Sequence, residues 1–240
     1  MVPLYLIILV VSTPQLSDTI YVMSLPDMAD SFRVNNNLAE FTLTVYLIGF
    51  GVFLWAAISD KFGSKPIFLL GFFIYLISCL GYYYSISIEQ LFSFHFIQAF
   101  GTSVGSVLGQ AIVRDFIKPD DRRRVFLVIS MIMTFAPAID SIIGYYTIKY
   151  YDWNFIFIGL FIIAVITIFL LSTKLPETLV KSEKKQTVIY YIIITIMTAL
   201  MSYMHNGTLN QLLLFIFVQA NSMQFIFYFV LNKEKRYVNP

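Results

Sequence analysis

Ser59-Asp60-Lys61-Phe62-Gly63-Ser64-Lys65-Pro66 is a short polar turn wedged between two apolar runs, residues 38–58 and 66–84. One carboxylate and two ammonium groups packed this tightly belong in water or among lipid headgroups, whereas the runs on either side do not. The turn therefore marks a membrane edge, and the runs mark two helices that cross the membrane. Gly63 supplies the backbone freedom for a sharp reversal. The charges have two readings: an ordinary cytoplasmic turn, or a set of acid–base pairings that holds two helices together.

The same alternation runs along the whole chain. A helix crossing the hydrocarbon core needs about 20 mostly apolar residues. Such windows lie at residues 3–23, 38–58, 66–84, 91–113, 125–147, 154–173, 188–204 and 211–231. Composition agrees, with 58% apolar residues, 12% charged residues and a mean hydropathy of +0.77, against roughly a quarter charged in a soluble domain. A water-soluble fold is excluded. The first apolar run has no Lys or Arg ahead of it and continues beyond Pro14, so it is expected to be a membrane span and not a cleaved export signal. Cys79 is alone, which excludes an intrachain disulfide and leaves packing as its role.

Orientation follows from where the cations lie. Lys61 and Lys65 follow the second span, Arg114, Lys118, Arg122, Arg123 and Arg124 the fourth, and Lys174, Lys181, Lys184 and Lys185 the sixth; the tail adds Lys233, Lys235 and Arg236. The opposite loops are poor in cations, so both termini are expected in the cytoplasm. The net charge of +2 gives no reason to expect nucleic acid, and Arg122-Arg123-Arg124 beside a span reads as a topology signal or headgroup contact. Tyr150, Tyr151 and Trp153 form an interfacial aromatic belt.

Ionisable and strongly polar groups inside spans suggest function by default, because lipid cannot solvate them. Asp18 in the first span, His95 and Gln98 in the fourth and Asp140 in the fifth are of this kind. For each carboxylate, proton or substrate coupling stands beside an interfacial or accidental placement. For His95, a proton relay stands beside a neutral ring hydrogen-bonded between helices. Gly101, Gly105 and Gly109 recur every four residues and suit close helix packing. The chain has no glycine-rich nucleotide loop, no metal-ligand spacing of Cys or His, and no serine elbow. An enzyme, a metal site and an ATP-driven device are therefore not expected.

An ordered set of short motifs resembles the major facilitator superfamily, and most closely its bicyclomycin-resistance (Bcr/CflA) drug:proton antiporter branch. Residues 59–66 are similar to the signature loop between helices two and three. Asp18-Thr19-Ile20-Tyr21-Val22-Met23-Ser24-Leu25-Pro26 resembles the end of helix one, and Gln98 with Gly101, then Val113-Arg114-Asp115, resembles helix four. Phe135-Ala136-Pro137 resembles helix five, and Trp153 with Phe155-Ile156-Phe157, then Leu175-Pro176-Glu177-Thr178-Leu179, resembles helix six. The resemblance implies an all-α membrane protein: a major-facilitator-type N-terminal six-helix bundle over residues 1–180, a cytoplasmic linker at 181–187, and about two further transmembrane helices with a basic tail at 188–240. It also implies alternating access around a site near the membrane midplane, in a bacterial inner membrane, driven by the proton gradient without a cofactor. Asp18, His95, Gln98 and Asp140 become the expected coupling residues, and Asp60, Lys61, Gly63, Lys65, Arg114 and Asp115 the expected cytoplasmic gate.

The departures from that family fall on mechanistic positions. Ala56 stands where the signature loop has glycine, Ser64 where it has arginine, and His95 where helix four has arginine; Asp140, Ser141, Gly144 and Tyr145 replace a second proline and paired glycines. The full transporter of the family has two six-helix halves, and one half gives one wall of the cavity. An isolated half is expected to turn Asp18, His95, Gln98 and Asp140 toward an open face. Three readings remain: a proton-coupled exporter of small lipophilic or amphipathic molecules, truncated and completed by a second copy of itself or another half; a non-transporting remnant of a split or decayed gene; and a membrane interaction subunit.

Overall fold

The computed structural model describes residues 2–50 and 55–176; the side chains of Ala56, Ala57, Asp60, Ala111, Arg114 and Asp115 lie outside that description. Lipid offers no hydrogen bonds to the backbone, so a spanning segment must satisfy its own N–H and C=O groups. Every regular element among the described residues is accordingly helical. In chain order they are α1 (Leu4–Thr19), a 3-10 turn η1 (Val22–Ser24), α2 (Leu25–Phe32), α3 (Asn36–Phe50), α4 (Trp55–Phe62), α5 (Ser64–Tyr83), α6 (Ile88–Phe116), α7 (Pro119–Tyr150) and α8 (Phe155–Lys174).

Among the described residues, five stretches are long and apolar enough to cross a membrane: Leu4–Phe32, Ser64–Tyr83, Ile88–Gln110, Pro119–Tyr150 and Phe155–Lys174. The remaining expected span, 38–58, is covered by α3 and α4 on either side of residues 51–54. The first span is longer than residues 3–23, because η1 carries the chain on into α2. The spans expected at 188–204 and 211–231 lie outside the described residues.

Local chemistry sets the helix ends. Gly63, before α5, has φ 91°, a left-handed conformation open to glycine at little cost. Ser87 caps α6 by accepting a bond from the Gln90 N–H at 3.3 Å, and α7 opens with Pro119 followed by Asp120 and Asp121, residues suited to a helix start.

The helix α6 is the central post, packed against α5, α3 and α1; α5 also packs on α8, and α1 on α7. Of the most apolar window of α6, 61% is buried, against 11% for α7, so α7 is an outer helix held along one edge. Glycines allow the closest approaches. A methyl group at Gly101 would lie 2.7 Å from the Tyr75 backbone nitrogen on α5, and one at Gly49 would lie 2.4 Å from the Phe96 carbonyl oxygen. Pro14 has no N–H, which releases the Val10 carbonyl from its helical bond. That carbonyl faces Gly105, where an added methyl would lie 2.3 Å from its oxygen. Gly101 thus faces α5 while Gly105 and Gly109 face α1.

Each end of α8 is fastened to the bundle. The Lys65 ammonium donates to the Ser172 carbonyl at 2.8 Å. At the opposite end, the Trp153 indole donates to the Ser31 hydroxyl at 3.0 Å, with its ring 5.6 Å from that of Phe32.

Candidate functional site

The polar residues singled out from the sequence fall into two groups on different sides of α1. Asp18 and Thr19 are consecutive, so their side chains leave the helix about 100° apart. Asp18, half-buried, is on the side of the bundle core, within electrostatic reach of the Tyr21 and Tyr46 hydroxyls. Thr19 points to α7.

The first group is an aromatic cage around His95. Three tyrosine rings meet the imidazole edge to face: Tyr21 at 4.6 Å, Tyr46 at 5.0 Å and Tyr82 at 5.1 Å between centroids. Tyr82 is stacked on Phe157 of α8 at 3.7 Å. Tyr46 donates its proton to the Pro14 carbonyl at 2.8 Å and lies 3.3 Å from the Thr102 hydroxyl. One turn on from His95, the Gln98 amide donates to the Cys79 sulfur at 3.2 Å. Among the described residues, both His95 ring nitrogens, Gln98 Oε1 and the Tyr82 hydroxyl have no hydrogen-bond partner. A buried polar atom left unpaired costs about 1–3 kcal/mol, so the cage is a polar site sealed in apolar surroundings.

The second group lies on the α1–α7 seam. Asp140, 2% exposed, is hydrogen-bonded to the Thr19 hydroxyl. One turn further along α7, Gly144 lets the two backbones touch: a methyl there would lie 2.5 Å from the Ile20 carbonyl oxygen. Pro137 interrupts the α7 hydrogen-bond ladder, and Ser141 donates back to its carbonyl at 2.7 Å.

The placement differs from the open face that the sequence suggested. His95 and Gln98 are 0% exposed and Asp140 is enclosed by α1; of the four, Asp18 alone is half-buried. The reason is local. His95 and Gln98 project from α6 into the bundle, where tyrosines from α3, α5 and the end of the first span close over them.

The expected cytoplasmic gate is only partly described. Lys65 is bound to α8, Lys61 is exposed with its ammonium 5.3 Å from the Phe62 ring centroid, and Gly63 turns the chain. The side chains of Asp60, Arg114 and Asp115 lie outside the description. No group of three or more His, Cys, Asp or Glu side chains that could hold a metal ion occurs among the described residues.

Sequence reasoning missed Thr19 and the tyrosine cage. Tyr21, Tyr46 and Tyr82 look like ordinary members of an aromatic-rich chain. The available signal was depth, and for Tyr46 alone, which sits mid-span, away from the interface where tyrosine is usual.

Comparisons with known proteins agree with this architecture. The model of the Major Facilitator Superfamily matches residues 7–237. An uncharacterized transporter of Rickettsia felis is 35% identical over 179 residues, 74% of this chain and 44% of that protein. A bicyclomycin resistance protein homolog of Haemophilus influenzae is 27% identical over 220 residues, 89% of this chain and 55% of that protein. In structure, the D-xylose–proton symporter superposes with a TM-score of 0.65 at 16% identity, over 72% of this chain and 48% of that one. The chain spans about half the length of the curated relatives it matches. With five membrane-length apolar helices among the described residues, α6 at their centre, and a family match over residues 7–237, the chain belongs to the Major Facilitator Superfamily.

Proposed function

We propose that this chain is the N-terminal half of a proton-coupled exporter of small lipophilic or amphipathic compounds, without enzymatic activity and without a cofactor beyond the proton gradient. It works in a bacterial inner membrane with both termini in the cytoplasm. A second six-helix half, either another copy of this chain or a separate polypeptide, completes its cavity. The observation that carries the reading is a pair of intramembrane carboxylates on adjoining helices, Asp18 on α1 and Asp140 on α7. Carboxylates at that depth are expensive unless they bind a cation or a proton as part of a cycle. Similarity to a bicyclomycin resistance protein homolog supports export, and the apolar surroundings of the site suit permissive substrates.

The test is reconstitution of the purified chain into vesicles with an imposed proton gradient and a lipophilic dye. Gradient-dependent dye movement is expected when the second half is present, and Asp18→Asn and Asp140→Asn should each abolish it while the protein still inserts. Full activity in both variants, or no movement under any gradient or partner condition, would overturn the proposal. Crosslinking in the membrane distinguishes a second copy from a separate polypeptide.

A further inference from the structure

Where α7 turns into α8 the surface holds an open cavity of about 450 Å³, lined by Ile148, Lys149, Tyr150, Tyr151, Asp152 and Phe155. That is room for a small organic group, since ligand pockets run to ~300–1,000 Å³. Its depth follows from the length of α7. The hydrocarbon core takes about 20 helical residues to cross. Counted from Val125, directly after Arg122-Arg123-Arg124, the crossing ends near Tyr145. Lys149 then stands one turn outside the hydrocarbon, and the next span begins at Phe155. The cavity is therefore at the level of the lipid headgroups.

The lining carries one charge of each sign. The Lys149 ammonium lies 5.9 Å from the Tyr145 ring centroid and 5.6 Å from that of Tyr150, over two aromatic faces that attract and orient a cation. The Tyr146 and Tyr150 rings are within 5° of parallel, 6.3 Å apart. On the far side, Phe155 sits 5.4 Å from Tyr151 and 5.8 Å from Tyr83 of α5. Between these aromatic walls the backbone carbonyl of Asp152 takes the Phe155 N–H at 3.0 Å, and the Asp152 side chain is exposed. Tyr150 and Tyr151 are 67% and 62% exposed, a waste of apolar area in water but the usual place of tyrosine against headgroups.

We propose that this cavity binds the headgroup of a zwitterionic phospholipid that carries a primary ammonium, with the phosphate at Lys149 and the ammonium at Asp152. A carboxylate prefers a primary ammonium, which donates charge-assisted hydrogen bonds, to a quaternary one, which has no N–H. A purely anionic headgroup satisfies Lys149 and is repelled by Asp152. Each contact alone is weak at an exposed site; one lipid engages both, and it is already concentrated in the plane of the membrane. Deeper in the membrane the two helices present apolar side chains to the outside, among them Ile139 and Ile143 on α7 and Ile162 and Ile166 on α8, against which acyl chains can lie. The site needs neither transport nor a second half, and a lipid leaflet meets the loop whichever side of the membrane it occupies.

The experiment is native mass spectrometry of the full chain released from vesicles of equal parts phosphatidylethanolamine, phosphatidylcholine and phosphatidylglycerol. Severalfold enrichment of retained phosphatidylethanolamine over both other lipids is expected. Asp152→Asn should remove the preference over phosphatidylglycerol, and Lys149→Gln should lower retention of both. Glu40→Gln, which removes an exposed carboxylate on α3, should leave the pattern unchanged. Equal retention of the three lipids overturns the proposal, as does a preference that survives both Asp152→Asn and Lys149→Gln. Displacement of the lipid by an equal concentration of soluble phosphoethanolamine would make the ligand a soluble one and overturn the membrane assignment.

Discussion

At His95 the chain holds a side chain able to make two hydrogen bonds in a place where the described residues offer none. Replacing it with phenylalanine keeps the edge-to-face contacts with Tyr21, Tyr46 and Tyr82 and removes two unpaired nitrogens, each worth about 1–3 kcal/mol. His95→Phe is therefore expected to raise the thermal unfolding temperature in detergent, and an unchanged or lower temperature would show that the ring has a partner. Gly105→Ala should do the opposite, because the new methyl would press on the Val10 backbone oxygen; overpacking of this kind costs typically 1–3 kcal/mol. Gly159→Ala is the control, with nothing within 4 Å of the added methyl. The sequence picks out His95, Gln98, Asp18 and Asp140 as intramembrane polar groups, since depth in an apolar run is visible without a structure. What each one faces depends on helix rotation and long-range packing, which a single chain's residue order does not carry; Thr19, a common residue at a helix end, gives no sign of its partner on α7.

Among the elements, α7 differs most from its neighbours. It is as apolar as a buried helix and yet rests on the bundle chiefly through α1 and η1. The Gly144 contact with Ile20 and the Asp140 contact with Thr19 lie along that seam. Gly144→Val should part the two helices, seen as faster amide hydrogen exchange along α7 with exchange in α5 and α6 unchanged. Exchange that accelerates evenly across all helices would mean that the seam is not an independent unit. The positions of the five membrane-length helices among the described residues follow from the residue order almost unaided, because lipid imposes one length and one polarity on each. Their ends are less legible. The first span runs on through η1 to Phe32, and Pro14 and Pro137 sit within continuous helices where a soluble chain would be read as breaking.

For the molecule as a whole, fastening at both ends of α8 sets which loops share a membrane side. Lys65 meets Ser172 at one end, and Ser31 meets Trp153 at the other. In the proposed orientation the first of these sides, which carries the excess of Lys and Arg, is the cytoplasmic one. Single cysteines at Lys65 and Lys174 should therefore react with an impermeant thiol reagent only from the cytoplasmic face, and those at Asp30 and Asp152 only from the opposite face. Cys79 is buried and should add little background. Labelling of all four from one face would refute the orientation. The family was legible from ordered motifs spread over the first 180 residues, because each marks a turn or helix end that the shared architecture needs.

The chain's two tryptophans occupy opposite optical environments. Trp55 is enclosed, stacked on Phe100 at 4.7 Å, with its indole N–H given to the Phe100 carbonyl and the Ser103 hydroxyl, both at 2.9 Å. Trp153 lies at the interface, half-buried beside Ser31. Fluorescence excited selectively in tryptophan thus comes from one interior emitter and one interfacial emitter. In Trp153→Phe the remaining light reports α4 against α6 alone, and in Trp55→Phe it reports the outer end of α8, so rearrangements at the two ends can be timed separately without attaching a dye.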